Sequence, residues 1–203
     1  MTKVIAISGW KCSGKDTVAD YLRGGANGNY HRLGFADALK DMVANMYGMD
    51  RRWCDDRKFK EHPLAGMPVE TKDAFGEMIH EFMKKEFASV NGVPHWTPRA
   101  LCILEGSVKR AAASEYWVEQ VIQVARRYDK VVIPDLRYRS EVSQLEEAFG
   151  ADLTTVRVNR YDVITSSDPS EHDLDDHEFD VVIDNTGSLA RLYETINIKL
   201  VGE

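Results

Sequence analysis

The chain has 203 residues, with 26 Lys and Arg against 33 Asp and Glu and a formal net charge of −7. That length suits one α/β domain, and 43% hydrophobic with 9% aromatic residues supplies a core, which excludes a disordered chain. The acidic balance argues against a general nucleic-acid binder, which carries a basic footprint, but leaves room for a small anionic ligand gripped by local cations.

The three cysteines, Cys12, Cys54 and Cys102, are widely spaced and form no CxxC pair. Neither a disulfide framework nor a zinc site is expected, and a reducing compartment is the simplest reading. No apolar stretch approaches the ~20 residues of a membrane span. The chain therefore reads as cytoplasmic, with no membrane partner.

In chain order, Lys3 to Ser8 predicts a short apolar strand that runs into a glycine-bearing loop. Lys15 to Arg23 predicts a helix with Val18, Ala19 and Leu22 on one face. A turn at 24–29 leads to a second strand, 31–35, and a helix, 36–47. Residues 48–69 read as irregular, and 70–87 as an amphipathic helix with Phe75, Met78, Ile79, Phe82, Met83 and Phe87 on one face. That pattern fits either core packing or a homodimer contact. Thr97-Pro98 is an N-cap followed by proline at the first helical position, opening a helix to about Ala112. Another helix spans about 115–128.

Lys130 to Pro134 predicts a buried strand, and Ser140 is read as capping a helix that stops at Gly150. Strands at 153–158 and 179–183 follow, then a helix capped by Ser188. Strands alternating with helices imply a five-stranded parallel sheet with helices on both faces. The expectation is a single α/β domain over 1–203, with insertions near 48–97 and 160–178.

The sharpest motif is Gly9-Trp10-Lys11-Cys12-Ser13-Gly14-Lys15-Asp16-Thr17. It matches GxxxxGK between a strand and a helix, the setting of a phosphate-binding loop. The glycines let backbone N–H groups close around phosphate oxygens, the helix N-terminus favours an anion, and Lys15 would neutralise charge on a transferring phosphoryl group. Asp16 stands where Ser or Thr usually ligates Mg²⁺. Either Asp16 holds a metal-bound water or Thr17 does the hydroxyl's work. The alternative is an ordinary glycine turn with a surface lysine.

A second signal is Asp135, placed after Val131-Val132-Ile133-Pro134 at the C-terminal edge of a buried strand, where open α/β sheets bind ligands. A carboxylate there suits Mg²⁺, and Arg137 could fork onto a phosphate. The bland reading is a turn-capping Asp and a solvent-facing Arg.

Together these residues resemble the bacteriophage-type deoxynucleoside monophosphate kinases, a P-loop kinase family. The resemblance spans most of the chain. It runs through the loop with its variant Asp16, Phe35-Ala36-Asp37-x-Leu39-Lys40, Thr97-Pro98-Arg99 through Gly106 and Arg110, Tyr116-Trp117-Val118, and Pro134-Asp135-x-Arg137 with Glu141. It continues in Ser170-Glu171 and in Phe179-Asp180 through Asn185-x-Gly187-Ser188. It implies the three-layer P-loop kinase fold, with a helical substrate-binding insertion and a lid at about 160–178. It also implies transfer of the ATP γ-phosphoryl to a deoxynucleoside 5'-monophosphate, with Mg²⁺, in the cytoplasm of a host if phage-encoded.

By the same resemblance Lys15, Asp135 and Arg137 are the candidate catalytic residues, and Asp16, Thr17 and Asp135 the metal side. ATP would lie along Gly9, Lys11, Ser13, Gly14, Lys15, Asp16 and Thr17, with Asn185 and Gly187 by the adenine. Lys40, Arg99, Arg110 and Arg137 are candidates for the acceptor phosphate, joined on the substrate side by Glu141, Ser170 and Glu171. Asp37 either binds a sugar hydroxyl or caps the second helix, and Trp117 either stacks on a base or sits in the core. Animal-type phosphomevalonate kinase shares the loop, the Asp-x-Arg and the closing Asn-x-Gly, and is the runner-up. Dephospho-coenzyme A kinase matches less well, and no Asn-Lys-x-Asp guanine motif is present.

The segment 161–178 holds seven acidic residues and no Lys or Arg, and without it the chain would be formally neutral. Arg157 and Arg160, just before it, are the candidates for arginines that related kinases bring from the lid. The cluster His172, Asp173, Asp175, Asp176, His177 lacks a metal-ligand spacing and reads as a solvated acidic loop. The sharper expectation is that its carboxylates pair with arginines of the site or with Mg²⁺-bound water.

Overall fold

The computed structural model describes residues 2–24, 29–56, 58–72, 74–113, 115–161 and 172–202. The chain forms two compact units, one of residues 1–35 with 117–203 and one of residues 36–116.

The first unit is built on a five-stranded sheet. Its strands are β1 (Lys3–Ser8), β2 (His31–Arg32), β5 (Lys130–Ile133), β6 (Leu153–Asn159) and β7 (Val181–Asp184), in the order β2-β5-β1-β6-β7. All four pairings are parallel. β1 lies at the centre with every residue after Lys3 buried, as a parallel strand covered on both faces requires.

Alternation along the strands sends side chains to two cores. On one face Val4, Ala6, Val131 and Ile133 pack under Val118, Val121 and Ala125 of α5 (Tyr116–Ala125) and Val142 and Leu145 of α6 (Arg139–Phe149). On the other, Ile5, Ile7, Val132, Val156, Val158 and Ile183 meet Val18, Ala19 and Leu22 of α1 (Lys15–Gly24). Leu192 and Ile196 of α7 (Leu189–Ile196) complete that core. The expected α/β class, a five-stranded parallel sheet with helices on both faces, is the observed one.

Three of the departures from the expected boundaries have a visible cause. The second strand ends at Arg32 because the chain turns at once into α2 (Phe35–Tyr47), whose first N–H donates to Asp135 Oδ1 at 3.2 Å. The last strand begins at Val181 because the Asp180 carboxylate takes the Thr155 N–H and hydroxyl, both at 2.7 Å, in place of a ladder bond. Ser140 lies inside α6 and does not cap it. Glu141 reaches back instead, its Oε2 accepting from the backbone N–H of Arg137 at 2.8 Å and of Tyr138 at 3.0 Å. A charged acceptor three residues into a helix satisfies two orphan donors at once.

The second unit carries most of α2, a short 3₁₀ turn at Arg51–Cys54, α3 (Ala74–Met83), and α4 (Pro98–Ala112). It also carries an antiparallel pair, β3 (Ala88–Val90) and β4 (Val93–His95), where no element is expected, and the helix expected over 70–87 is confined to α3. The turn between them is Asn91-Gly92, with φ of 51° and 81°, the geometry that two-residue hairpins demand and that Asn-Gly supplies. Thr97 caps α4 as expected, accepting from Ala100 N at 3.0 Å, while its hydroxyl donates to the Glu86 carbonyl at 2.9 Å. On α3 the apolar stripe is divided, with Met83 buried and Met78 and Phe82 exposed.

Candidate active site

The loop between β1 and α1 is wound by backbone chemistry. Gly9 has φ +156°, and a Cβ there would lie 2.6 Å from the Val158 carbonyl. Gly14 has φ +102°, and a Cβ there would lie 2.4 Å from the Asn185 side-chain nitrogen. Both conformation and close approach therefore demand glycine. Between them Cys12 is left-handed at φ 65°, a strained position for a side-chain-bearing residue and one that recurs at ligand clamps. No spacing rule points to it.

Among the described residues the buried Ser13 hydroxyl has no hydrogen-bond partner, which leaves a polar atom inside the loop for which a phosphate oxygen is a suitable partner. Lys15 Nζ donates to the Trp10 carbonyl at 3.1 Å, which also accepts the Ser13 N–H at 3.0 Å. Lys11 and Cys12 are exposed, and Thr17 is half-buried.

Asp16 is engaged by Arg32, whose guanidinium donates to Asp16 Oδ1 at 2.5 Å and to Asp20 Oδ1 at 2.8 Å. Burial lowers the Arg32 pKa, but the hydrogen bonds and charges of the two aspartates outweigh it and raise the net value. Arg32 closes the space between β2 and α1, a role with no signal in the sequence.

Asp135 lies beside the loop's entry strand, since β5 pairs with β1 in register Ala6↔Ile133 and the Leu136 N–H donates to the Ile7 carbonyl. Both ends face the sheet edge where such folds bind ligands. Arg137 follows, its backbone fastened by Glu141. Asn185, after β7, donates from Nδ2 to the Ser13 carbonyl at 2.9 Å and so buttresses the loop, with Gly187 two residues on. Trp117 is buried, 6% exposed.

Arg157 leaves β6 and is only 9% exposed. It donates to Ser8 Oγ at 3.1 Å and to Asp175 at 2.6 Å. Asp175 also accepts from the Trp10 indole at 3.1 Å and lies 2.7 Å from His172 Nδ1. Burial pushes the Asp175 carboxyl up, yet hydrogen bonds from His172, Trp10 and Arg157 hold it below the usual carboxylate range. Asp173 accepts the Arg139 N–H at 2.8 Å, Asp176 pairs with the Arg139 guanidinium, and Leu174 is buried in the core. The turn over 172–176 is thus anchored by Leu174 and by contacts to Arg139 and Arg157, while Asp173, Asp175 and Asp176 stay exposed. Arg160 is exposed. Ser170 and Glu171, with 162–169 of the expected lid, lie outside the described residues.

The second unit holds the remaining candidates. Asp37 pairs with Arg51 at 3.1 Å, and Lys40 with Asp55 at 2.7 Å. Arg51 also binds Asp41 at 2.6 Å and Asp55 at 2.5 Å. Burial raises the Asp55 pKa, but Lys40 and Arg51 outweigh it and depress the net value. Arg51, the hub of this network, is not among the residues that the sequence motifs mark. Its only local signal is the spacing to Asp55 on one turn. Arg99 pairs with Glu86 at 2.7 Å, and Arg110 is exposed beside Gly106.

Among the described residues no three His, Cys, Asp or Glu side chains gather as a metal cage, and no helix is long and apolar enough to cross a membrane. No protein-family model matches the sequence, and no curated protein matches it. Among solved structures the chain is similar to a gluconokinase from Sinorhizobium meliloti 1021, with 14% identity and a TM-score of 0.43, over 95% of this chain and 87% of that one.

Proposed function

We propose that the chain is a P-loop kinase that transfers the γ-phosphoryl of ATP to a deoxynucleoside 5'-monophosphate, giving the diphosphate and ADP. The single observation that carries the reading is the loop after β1, where two obligatory glycines, a left-handed Cys12, a buried Ser13 hydroxyl with no partner among the described residues and Lys15 converge at a helix N-terminus. Backbone N–H groups aimed into such a ring bind phosphate oxygens.

Phosphoryl transfer demands positioning and charge neutralisation more than covalent participation. Lys15 would leave the Trp10 carbonyl for the β- and γ-phosphates, and Arg137 would neutralise charge on the transferring group. Ser13 would donate its hydroxyl to a phosphate oxygen. Asn185 holds the loop's far wall, at the Ser13 carbonyl.

Mg²⁺ fits this donor set. One carboxylate and one hydroxyl with waters and phosphates, and no protein cage, is how Mg²⁺ is ordinarily held beside a nucleotide. Thr17 and Asp135 would hold it, and it would neutralise charge between the phosphates. Asp16 is committed to Arg32, which favours Thr17 for the hydroxyl's place. Lys40, Arg99 and Arg110 would serve the acceptor phosphate.

The acceptor rests on the sequence resemblance through Thr97-Pro98-Arg99 and Tyr116-Trp117-Val118. ADP release from ATP, measured with dNMPs, NMPs, phosphomevalonate or no acceptor, tests it. Stimulation by at least one dNMP is expected. Stimulation by phosphomevalonate alone would replace the acceptor while keeping the kinase.

A further inference from the structure

Resting on the kinase reading, we propose that Asp175 is a positioning residue of the phosphate loop. It grips Trp10 and Arg157 together, and so holds the loop's first turn in the arrangement that receives the polyphosphate.

The carboxylate has three partners from three places in the chain. Its Oδ1 accepts from Trp10 Nε1 at 3.1 Å and from Arg157 Nη2 at 2.6 Å, and its Oδ2 meets His172 Nδ1 at 2.7 Å. Arg157 extends the network, donating to Ser8 Oγ at 3.1 Å on the last residue of β1. Its guanidinium lies 5.8 Å from both the Trp10 and Phe179 rings. One acid therefore ties the strand before the loop, the loop's second residue and the neighbouring strand.

Trp10 is the residue through which this reaches the chemistry. Its carbonyl accepts both Lys15 Nζ and the Ser13 N–H. The loop around it turns through two positive-φ glycines, Gly9 and Gly14, and is strained at the left-handed Cys12. A backbone so strained persists only where its surroundings over-determine it, and the indole bond to Asp175 is such a constraint.

The 172–176 turn does not need Asp175 to stay in place. Leu174 is buried in the core, Asp173 holds the Arg139 N–H, and Asp176 holds the Arg139 side chain. Two of the Asp175 contacts instead leave the turn, one to Trp10 of the loop and one to Arg157 of β6. The pairing also explains how an acidic segment tolerates a polyanion nearby. The Asp175 charge is matched by Arg157, whose side chain is 10% exposed and would be left as a buried unpaired cation without it.

The test measures ATP affinity without acceptor by calorimetry, ATP KM and kcat, and the thermal midpoint, for wild type, Asp175→Ala, Trp10→Phe, the double variant and Asp176→Asn. Asp175→Ala and Trp10→Phe are each expected to weaken ATP binding about tenfold, the size of one charge-assisted hydrogen bond. The double variant should be no weaker than the worse single one, since both remove the same hydrogen bond. Asp176→Asn should stay within about twofold, as a surface pair does.

Wild-type ATP affinity in Asp175→Ala, additive losses in the double variant, or an equal loss in Asp176→Asn would overturn the proposal. Trp10→Phe keeps the Asp175–Arg157 pair and the ring, so it decides the matter alone if Asp175→Ala does not fold. Wild-type protein that binds no ATP overturns the kinase reading and this one with it. Normal wild-type binding with an indifferent Asp175 overturns this one only.

Discussion

The two units handle charge in opposite ways. In the first, the loop after β1 is built from backbone, and side chains serve to shape it: Asn185 on the Ser13 carbonyl, Asp175 on Trp10, Arg32 on Asp16. In the second, three of the candidate substrate-side residues are already matched with partners of opposite charge, Lys40 with Asp55, Asp37 with Arg51 and Arg99 with Glu86. A loop made of N–H groups and glycines is specific before any ligand arrives. A cation paired with a local carboxylate must exchange partners to grip a phosphate, so its contribution is the difference between two interactions.

The largest expected effect lies on the loop side of this contrast. Lys15→Ala should lower kcat by about 10³-fold or more, the scale of losing a cation that stabilises the transferring phosphoryl, while the circular dichroism spectrum stays native. Activity near wild type would remove the loop from the chemistry.

Gly14→Ala tests whether backbone shape is the active ingredient. The new methyl must share space with the Asn185 amide at a φ of +102°, and strain of about 1–3 kcal/mol is expected. Urea unfolding and ATP titration should both register it, because the Asn185 amide must move off the Ser13 carbonyl. An unperturbed ATP affinity would mean that the loop adapts.

On the other side, Arg99→Ala should raise the KM for the acceptor about tenfold and leave the KM for ATP unchanged, the pattern of uniform ground-state binding removed from one substrate. Because Arg99 is bonded to Glu86 and would have to leave it for an acceptor phosphate, Glu86→Gln should tighten acceptor binding. An increase in the ATP KM instead would move Arg99 to the donor side.

The smallest effect is on pH. Asp175 and Asp55 both have folded pKa values depressed below the ordinary 3.8. A depressed folded value means that the stabilisation is present above the unfolded value and is lost as pH falls through the folded one. Both groups are partly exposed, so each contributes tenths of a kcal/mol, at most about 1. Urea midpoints should hold from pH 7 to 5 and fall below pH 4, less steeply in Asp175→Asn. A wild-type slope in that variant would show that the carboxylate adds nothing.

Much of the first unit is legible because its information is local. The buried runs of β1 and β5 alternate between two cores, and Gly9 to Thr17 encodes a turn in consecutive residues. The Ser188 and Thr97 caps are legible for the same reason. The β3–β4 hairpin departs from expectation although its signal, Asn91-Gly92 between two valines, is equally local. It lies just past the helix expected over 70–87, in a stretch where no element is expected, and α3 itself ends early, at Met83, in a turn in which the Glu86 N–H bonds to the Met83 carbonyl.

The layered α/β class, the glycine loop and the identity of its lysine can all be read from residue order, since periodicity and backbone preference act between near neighbours. Which donors Asp175 meets is decided by the fold alone. Trp10 and Asp175 are 165 residues apart, and Arg157 and Asp175 come from different turns of the chain. A carboxylate has no intrinsic partner, and its role is set by which donors the fold brings within about 3 Å. The same holds for Asp16, where a place in a motif suggests a metal and the sheet supplies Arg32.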